Sequence, residues 1–237
     1  MTASLPFPPP DYVRIRAREQ DVVALEPLSS AVIDALADHA SLAGWAEAHA
    51  VATVAGGRGP LWRVDLGGRA AAVRHYRRGG WMGPLLGDRY FGRPPRPFAE
   101  LAASETLRRR GVRTPRVLAA VVAPAGAGYR GDIVTEWLSP GLDLAELLRP
   151  NLYPAGERAA AIAAAGRTIG CAHAAGLDHP DLRPRNVFLE PLGVGSWRAA
   201  LLDLDRAGVA RPGEAPAKKK TSPASGALSP RSVERAA

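Results

Sequence analysis

His179-Pro180-Asp181-Leu182-Arg183-Pro184-Arg185-Asn186 is the stretch on which the reading of this chain turns. Its aspartate is followed five residues on by an asparagine, and the apolar run Val187-Phe188-Leu189 comes next. A second run, Ala200-Leu201-Leu202, leads into Asp203-Leu204-Asp205. Both apolar runs have the length and composition of short strands. The polar groups therefore come as a carboxylate, an amide, and a second carboxylate after the next strand. A plain polar loop would also be rich in Asp, Asn and Pro. It would not account for the Asp181–Asn186 interval or for an apolar strand on each side.

Upstream of this loop, Ala155 to Ala174 reads as a helix that Gly176 ends, and Leu142 to Leu148 as another. Asp132 to Trp137 and Val117 to Val122 read as strands joined by a turn at Gly126 to Gly128. Pro97 to Arg110 is a helix with Gly111 just past its end. Before it come three runs of strand character: Val51 to Val54, Leu61 to Leu66 and Ala70 to Tyr76. Gly67-Gly68 is a strong hairpin turn, so these make an antiparallel meander. Ser30 to Asp38 has helical spacing. Residues 1–25, with Pro6, Pro8, Pro9 and Pro10, read as a variable lead-in, and 211–237 as a disordered tail.

The order of elements and the loop together resemble the protein-kinase-like superfamily. The expected fold is α+β and two-lobed: an antiparallel-sheet N-lobe over 26–138 and a short helical C-lobe over 139–210. The His-x-Asp-Leu-x-x-x-Asn pattern implies Asp181 as the base that accepts the hydroxyl proton. It implies Asn186 and Asp203 as oxygen ligands of Mg²⁺ against the phosphates of ATP. His179 is expected to scaffold the loop. Asp205 has two readings, a group that helps hold metal or loop, and a solvated turn residue. Gly57, Arg58 and Gly59 are candidates for phosphate contact at the first hairpin. Arg74 stands on the third strand where kinases carry a lysine, with Glu100 as its candidate partner and Glu105 as the alternative. Glu136 to Leu138 is expected as the hinge beside adenine. Cys171 is expected buried on its helix, and His173 packed or hydrogen-bonded.

A narrower resemblance rests on Gly57-Arg58-Gly59, Arg74-His75-Tyr76-Arg77-Arg78-Gly79-Gly80, Leu86-Gly87-Asp88-Arg89-Tyr90, Phe98-Ala99-Glu100 and Asp203-Leu204-Asp205-Arg206. Over about residues 45–210 these are similar to the 3-deoxy-D-manno-octulosonic acid (Kdo) kinases of the lipopolysaccharide kinase group. That resemblance implies phosphorylation of the 4-hydroxyl of Kdo in Kdo–lipid A. It implies work at the cytoplasmic face of the bacterial inner membrane, as a peripheral protein. In such a family an arginine at position 74 is expected. Pro180, Pro184-Arg185 and Leu204 depart from the usual residues but leave the oxygen ligands in place. A kinase for heptose or an aminoglycoside, and a non-enzymatic basic binding protein, are the alternatives.

Composition agrees with an anionic partner. The chain has 237 residues, 46% apolar and 23% charged, with 31 Lys plus Arg against 23 Asp plus Glu, a net charge of +8. Such a balance favours nucleotides, phosphorylated lipids or an anionic membrane surface. Arg74, Arg77, Arg78, Arg89, Arg93 and Arg96 are interleaved with Trp81, Met82, Leu85, Leu86, Tyr90 and Phe91. Arginine pairs well with carboxylate and phosphate, and arginine with aromatics suits a membrane interface. One cysteine excludes a disulfide framework and a Cys-cluster metal site. No secretory signal is visible, and the longest apolar run, around Ala159 to Ala165, is too short to span a bilayer. Only 32 residues follow Asp205, which leaves no room for a peptide-docking segment. A protein substrate is not expected, nor is nucleic acid, since no nucleic-acid-reading motif is recognisable.

Overall fold

The computed structural model describes residues 6–56, 59–77, 87–150 and 152–210. Its first layer is a seven-stranded antiparallel sheet in the order β1-β2-β6-β7-β5-β4-β3. The strands are β1 (Tyr12–Ala17), β2 (Gln20–Leu25), β3 (Ala52–Gly56), β4 (Gly59–Leu66), β5 (Arg69–His75), β6 (Val117–Ala125) and β7 (Gly128–Glu136). Gly67 and Gly68 turn β4 into β5 with φ of 58° and 77°, a backbone that glycine adopts without strain.

Residues 12–25 correct the expectation of a lead-in. Val22, Val23 and Ala24 are fully buried, and β2 pairs with β6, so this hairpin is part of the sheet. Two helices, α1 (Ser29–Ala37) and α2 (Leu42–His49), connect it to the meander and pack on the sheet. The long helix α3 (Arg96–Arg109) packs on β6 and β7.

Two apolar cores result. The first holds Val22, Leu42, Leu66, Val73, Leu101 and Ile133. The second holds Leu107, Leu147, Ala165, Leu189, Leu201 and Leu204. Each fully buried leucine contributes about 1.5–3 kcal/mol. Helix α3 gives Leu101 to one core and Leu107 to the other, so it ties the lobes together.

The second lobe is smaller. Strand β8 (Leu142–Asp143) pairs with β10 (Val187–Gly193), which pairs with β11 (Ser196–Leu201). The helix expected over 142–148 is instead this short strand followed by one turn, α4 (Leu144–Leu147). Asp143 caps that turn by accepting from the Glu146 N–H. Helix α5 (Ala155–Ala174) lays Ala161, Ala165 and Ala172 against the second core. Small side chains on that face let it approach β11 closely. Cys171 and His173 are exposed on it, against the expectation that both would be packed, because they fall on the face turned from β11. Gly176 ends the helix at φ 83°. Strand β9 (Leu177–Asp178) then pairs with β12 (Gly208–Val209) and delivers the chain to His179. The expected tail lies outside the described residues.

Candidate active site

A cleft of about 510 Å³ runs between the lobes. Arg74, Glu100, Glu136, Asp181, Asn186 and Asp203 all line it. The structure thus brings together residues that span more than half of the chain.

The loop after β9 is held from both ends. His179 is buried, and its Nε2 lies 3.3 Å from the Leu202 carbonyl. The Leu182 N–H donates to the His179 carbonyl at 3.1 Å, which closes a turn. A single 3₁₀ turn, Pro184–Asn186, follows. Within it Asn186 Nδ2 donates to the Asp181 carbonyl at 2.9 Å. That bond spans the five-residue interval and leaves Asn186 Oδ1 as the acceptor atom of the amide. The Leu202 N–H donates to the Asn186 carbonyl at 2.8 Å, so Asn186 and Asp203 lie at the ends of neighbouring strands. Asp203 has φ 55°, a left-handed conformation that aspartate tolerates better than most residues.

Arg74 lies at the centre of the N-lobe side. Its Nη2 donates to both oxygens of Glu100 at 2.7 Å, and its Nη1 donates to Asp203 Oδ1 at 2.7 Å. Between the two candidate partners, Arg74 therefore pairs with Glu100. Glu105 accepts instead from the Tyr12 hydroxyl at 2.9 Å, on the β1 hairpin. Tyr76 donates its hydroxyl to Glu100, and the Arg74 guanidinium lies 5.0 Å over the Tyr76 ring. Burial raises the Glu100 carboxyl above the usual range, and Arg74 only partly offsets it. Burial and the Glu100 charge push the Tyr76 phenol well up, so it stays a donor. Burial works against the Arg74 charge, but the Glu100 and Asp203 carboxylates together more than restore it.

A second link runs from α3 to the same segment. Arg96 Nη1 donates to Asp205 Oδ2 at 2.9 Å, and the Asp205 side chain is only 3% exposed. Arg96 also stacks 4.6 Å over Tyr90. Asp205 is therefore a buried, paired carboxylate rather than a solvated turn residue.

Glu136 lies where β7 leaves the sheet, and its N–H donates to the Arg116 carbonyl at 2.8 Å. The next N–H, Trp137, donates to Ala70 at 3.0 Å. These bonds fix the end of β7 and the segment after it, which carry Glu136 and Leu138 along the cleft. Gly59 also lines the cleft. It has φ 147°, and a Cβ there would meet the Arg77 side chain at 3.1 Å. Gly57 and Arg58 lie outside the described residues, as do Arg78, Trp81, Met82, Leu85 and Leu86. Of the basic run, Arg74 and Arg96 turn inward to carboxylates, and Tyr90 is buried against Tyr76 and Tyr129. Phe91 and Arg93 are exposed.

Sequence reading alone gave no role to four residues of this site. Tyr76, Arg183 and Arg206 stand within the motifs Arg74-His75-Tyr76, His179 to Asn186 and Asp203-Leu204-Asp205-Arg206, and Arg96 within the basic run. The motifs give none of them its contact, and the contact is what defines the role. Arg183 Nη2 donates to Asp181 Oδ1 at 3.1 Å, and Arg206 Nη1 lies 3.7 Å from Asp181 Oδ2.

A five-strand-plus-hairpin sheet over a helical lobe, with a polar loop at their junction, is the protein-kinase-like fold. A solved structure described as WaaP in complex with acyl carrier protein shares it, with a TM-score of 0.51 and 24% identity over 81% of this chain and 73% of that one. Residues 42–220 match the model of the Lipopolysaccharide kinase (Kdo/WaaP) family, and the chain belongs to that family. Among its relatives, a 3-deoxy-D-manno-octulosonic acid kinase of Xylella fastidiosa (strain M12) is 38% identical over 69% of this chain and 63% of its own. One of Vibrio vulnificus (strain YJ016) is 34% identical over 62% and 61%. One of Xanthomonas oryzae pv. oryzae (strain PXO99A) is 39% identical over 64% and 58%. The chain thus spans about three fifths of the length of the curated relatives it matches.

Proposed function

We propose that this protein transfers the γ-phosphoryl group of ATP to the 4-hydroxyl of Kdo in Kdo–lipid A. The observation that carries the reading is the meeting of Asp181, Asn186, Asp203 and Arg74 in one cleft of a chain from this family. ATP would lie with its adenine against the Glu136–Leu138 segment and its phosphates toward Gly59 and Arg74. Asp181 accepts the proton of the acceptor hydroxyl as the oxygen–phosphorus bond forms. The bond from the γ-phosphorus to the bridging oxygen breaks, and ADP leaves with that oxygen. Arg183, on the cleft wall, meets the charge that builds on the transferred group.

Asn186 Oδ1 and Asp203 fit a magnesium site by their chemistry. Both are hard oxygen donors, and Mg²⁺ in kinases takes one or two protein ligands and completes its shell with phosphate and water. Among the described residues no cluster of three or more His, Cys, Asp or Glu is present, which this mode of binding does not need. A bound Mg²⁺ would neutralise phosphate oxygens. Arg74 keeps Asp203 and Glu100 in register for that role.

With that acceptor the protein would work at the cytoplasmic face of the inner membrane, bound peripherally. The net charge of +8 and the exposed Phe91 and Arg93 support that placement. Among the described residues no helix is long and apolar enough to cross a membrane.

Incubation with Mg·ATP and Kdo–lipid A, followed by mass analysis of the lipid, tests the proposal. One added phosphate on the Kdo is expected. No phosphate on that lipid, with transfer to a heptose or an aminoglycoside offered in parallel, would overturn it.

A further inference from the structure

Asp181 lies between two guanidinium groups of different standing. Arg183 donates to one of its oxygens at 3.1 Å and lines the nucleotide cleft. Arg206 faces the other oxygen at 3.7 Å, an ion pair not closed to hydrogen-bond length. Arg206 is not among the described residues that line the cleft, so it approaches Asp181 from outside the nucleotide's space. Its side chain is 53% exposed.

The root of Arg206 is rigid although its tip is open. Asp205, one residue before, is buried and held by Arg96. The Ala207 N–H donates to the Leu204 carbonyl at 3.0 Å, which closes a turn around Arg206. Gly208 and Val209 then pair with Asp178 and Leu177, the strand that leads into the Asp181 loop. Arg206 and Asp181 thus stand two and three residues beyond the ends of two paired strands, which keeps the backbone at Arg206 beside the base.

We infer that Arg206 selects the acceptor by binding its carboxylate, and in doing so leaves Asp181 Oδ2 to the hydroxyl. This rests on the proposed function, in which the acceptor is an acid sugar. A guanidinium binds a carboxylate best through two parallel hydrogen bonds. Its present contact with Asp181 is long, exposed and screened, so little is lost on exchange. A carboxylate on the same ring as the attacking hydroxyl brings its own partner for Arg206 to the base. A neutral sugar brings none, and Oδ2 then stays faced by the cation. Selection should accordingly appear in kcat as well as in KM.

The test uses the full chain with Mg·ATP and two acceptors, Kdo–lipid A and the same lipid with the Kdo carboxyl methylated. The wild type should prefer the acid by about 10- to 100-fold in kcat/KM, the scale of one lost hydrogen bond to a charge. Arg206→Gln should slow the acid and speed the ester, whose Asp181 Oδ2 is no longer faced by the cation, so the preference collapses. Arg206→Lys should restore part of it. Equal transfer to acid and ester by the wild type would overturn the inference and leave the proposed function standing. So would an Arg206→Gln protein that keeps the full preference. Transfer to neither lipid would overturn the proposed function and this inference with it.

Discussion

Arg74 and Asp203 stand 129 residues apart in the chain and meet at 2.7 Å across the cleft. The same guanidinium holds both oxygens of Glu100 on α3. One side chain therefore couples the sheet, the long helix and the segment expected to hold the metal. The Arg96–Asp205 pair makes a second tie between α3 and that segment. Together they tie α3 to the segment that carries Asp203 and Asp205.

Removing Arg74 should destabilise the fold as well as the site. Glu100 is buried, and Arg74→Met leaves its charge without a cation. Losing one partner of a buried pair costs about 3 kcal/mol or more. Thermal melting should show the drop, and Arg74→Met with Glu100→Gln should recover part of it. A single variant that melts like the wild type would contradict the pairing.

Tyr76→Phe removes the hydroxyl that donates to Glu100 but keeps the ring under Arg74. A stability loss of about 1.5 kcal/mol is expected, the scale of a hydrogen bond to a charged group. The KM for ATP should rise, because Glu100 loses one of the bonds that orient it toward Arg74. Unchanged melting and unchanged KM would remove Tyr76 from the account.

Asp203 and Asp205 should part company in metal titrations. Asp203→Ala is expected to abolish metal-dependent nucleotide binding. Asp205→Asn weakens the tie to Arg96 and should lower the rate while the Mg²⁺ dependence stays near that of the wild type. Equal loss of metal dependence in both would assign Asp205 to the metal as well.

The histidine beside Arg74 gives a pH signature. Burial disfavours a charge on His75, but Asp132 at 2.6 Å and Asp88 at 3.1 Å hold its imidazolium above the usual value. Asp88 is itself lowered, chiefly by Arg130 and His75 acting against its own burial. A folded-state value above the unfolded one of about 6.5 adds stability that is complete below that pH. The contribution is lost as pH rises through the folded value. Melting temperature should fall across that window, and His75→Gln should flatten the profile. Identical profiles for the two proteins would contradict the assignment.

Much of this architecture was legible from local chemistry. Gly67-Gly68 announced a hairpin because only glycine takes two successive positive φ values cheaply. Gly176 marked the end of an Ala-rich helix for the same reason. The Asp181–Asn186–Asp203 pattern was legible because a loop and two short strands fix it locally. The β1–β2 hairpin was hidden by four prolines in the first ten residues, and its burial comes from pairing with β6, nearly a hundred residues on. Helix α2 has eight residues and its apolar face is defined by β4 and β5, so periodicity alone was thin. The roles of Arg96, Arg183 and Arg206 reside in contacts that no local spacing encodes.

The central claim is that Asp181 takes the proton of the acceptor hydroxyl. Steady-state kinetics of Asp181→Asn on Kdo–lipid A with Mg·ATP measures it most directly. Asparagine keeps the shape and loses the base, so kcat should fall by about 10²–10⁴-fold while melting and ATP affinity stay close to the wild type. Near-normal turnover by Asp181→Asn on that lipid would place the base elsewhere and contradict the account at its centre.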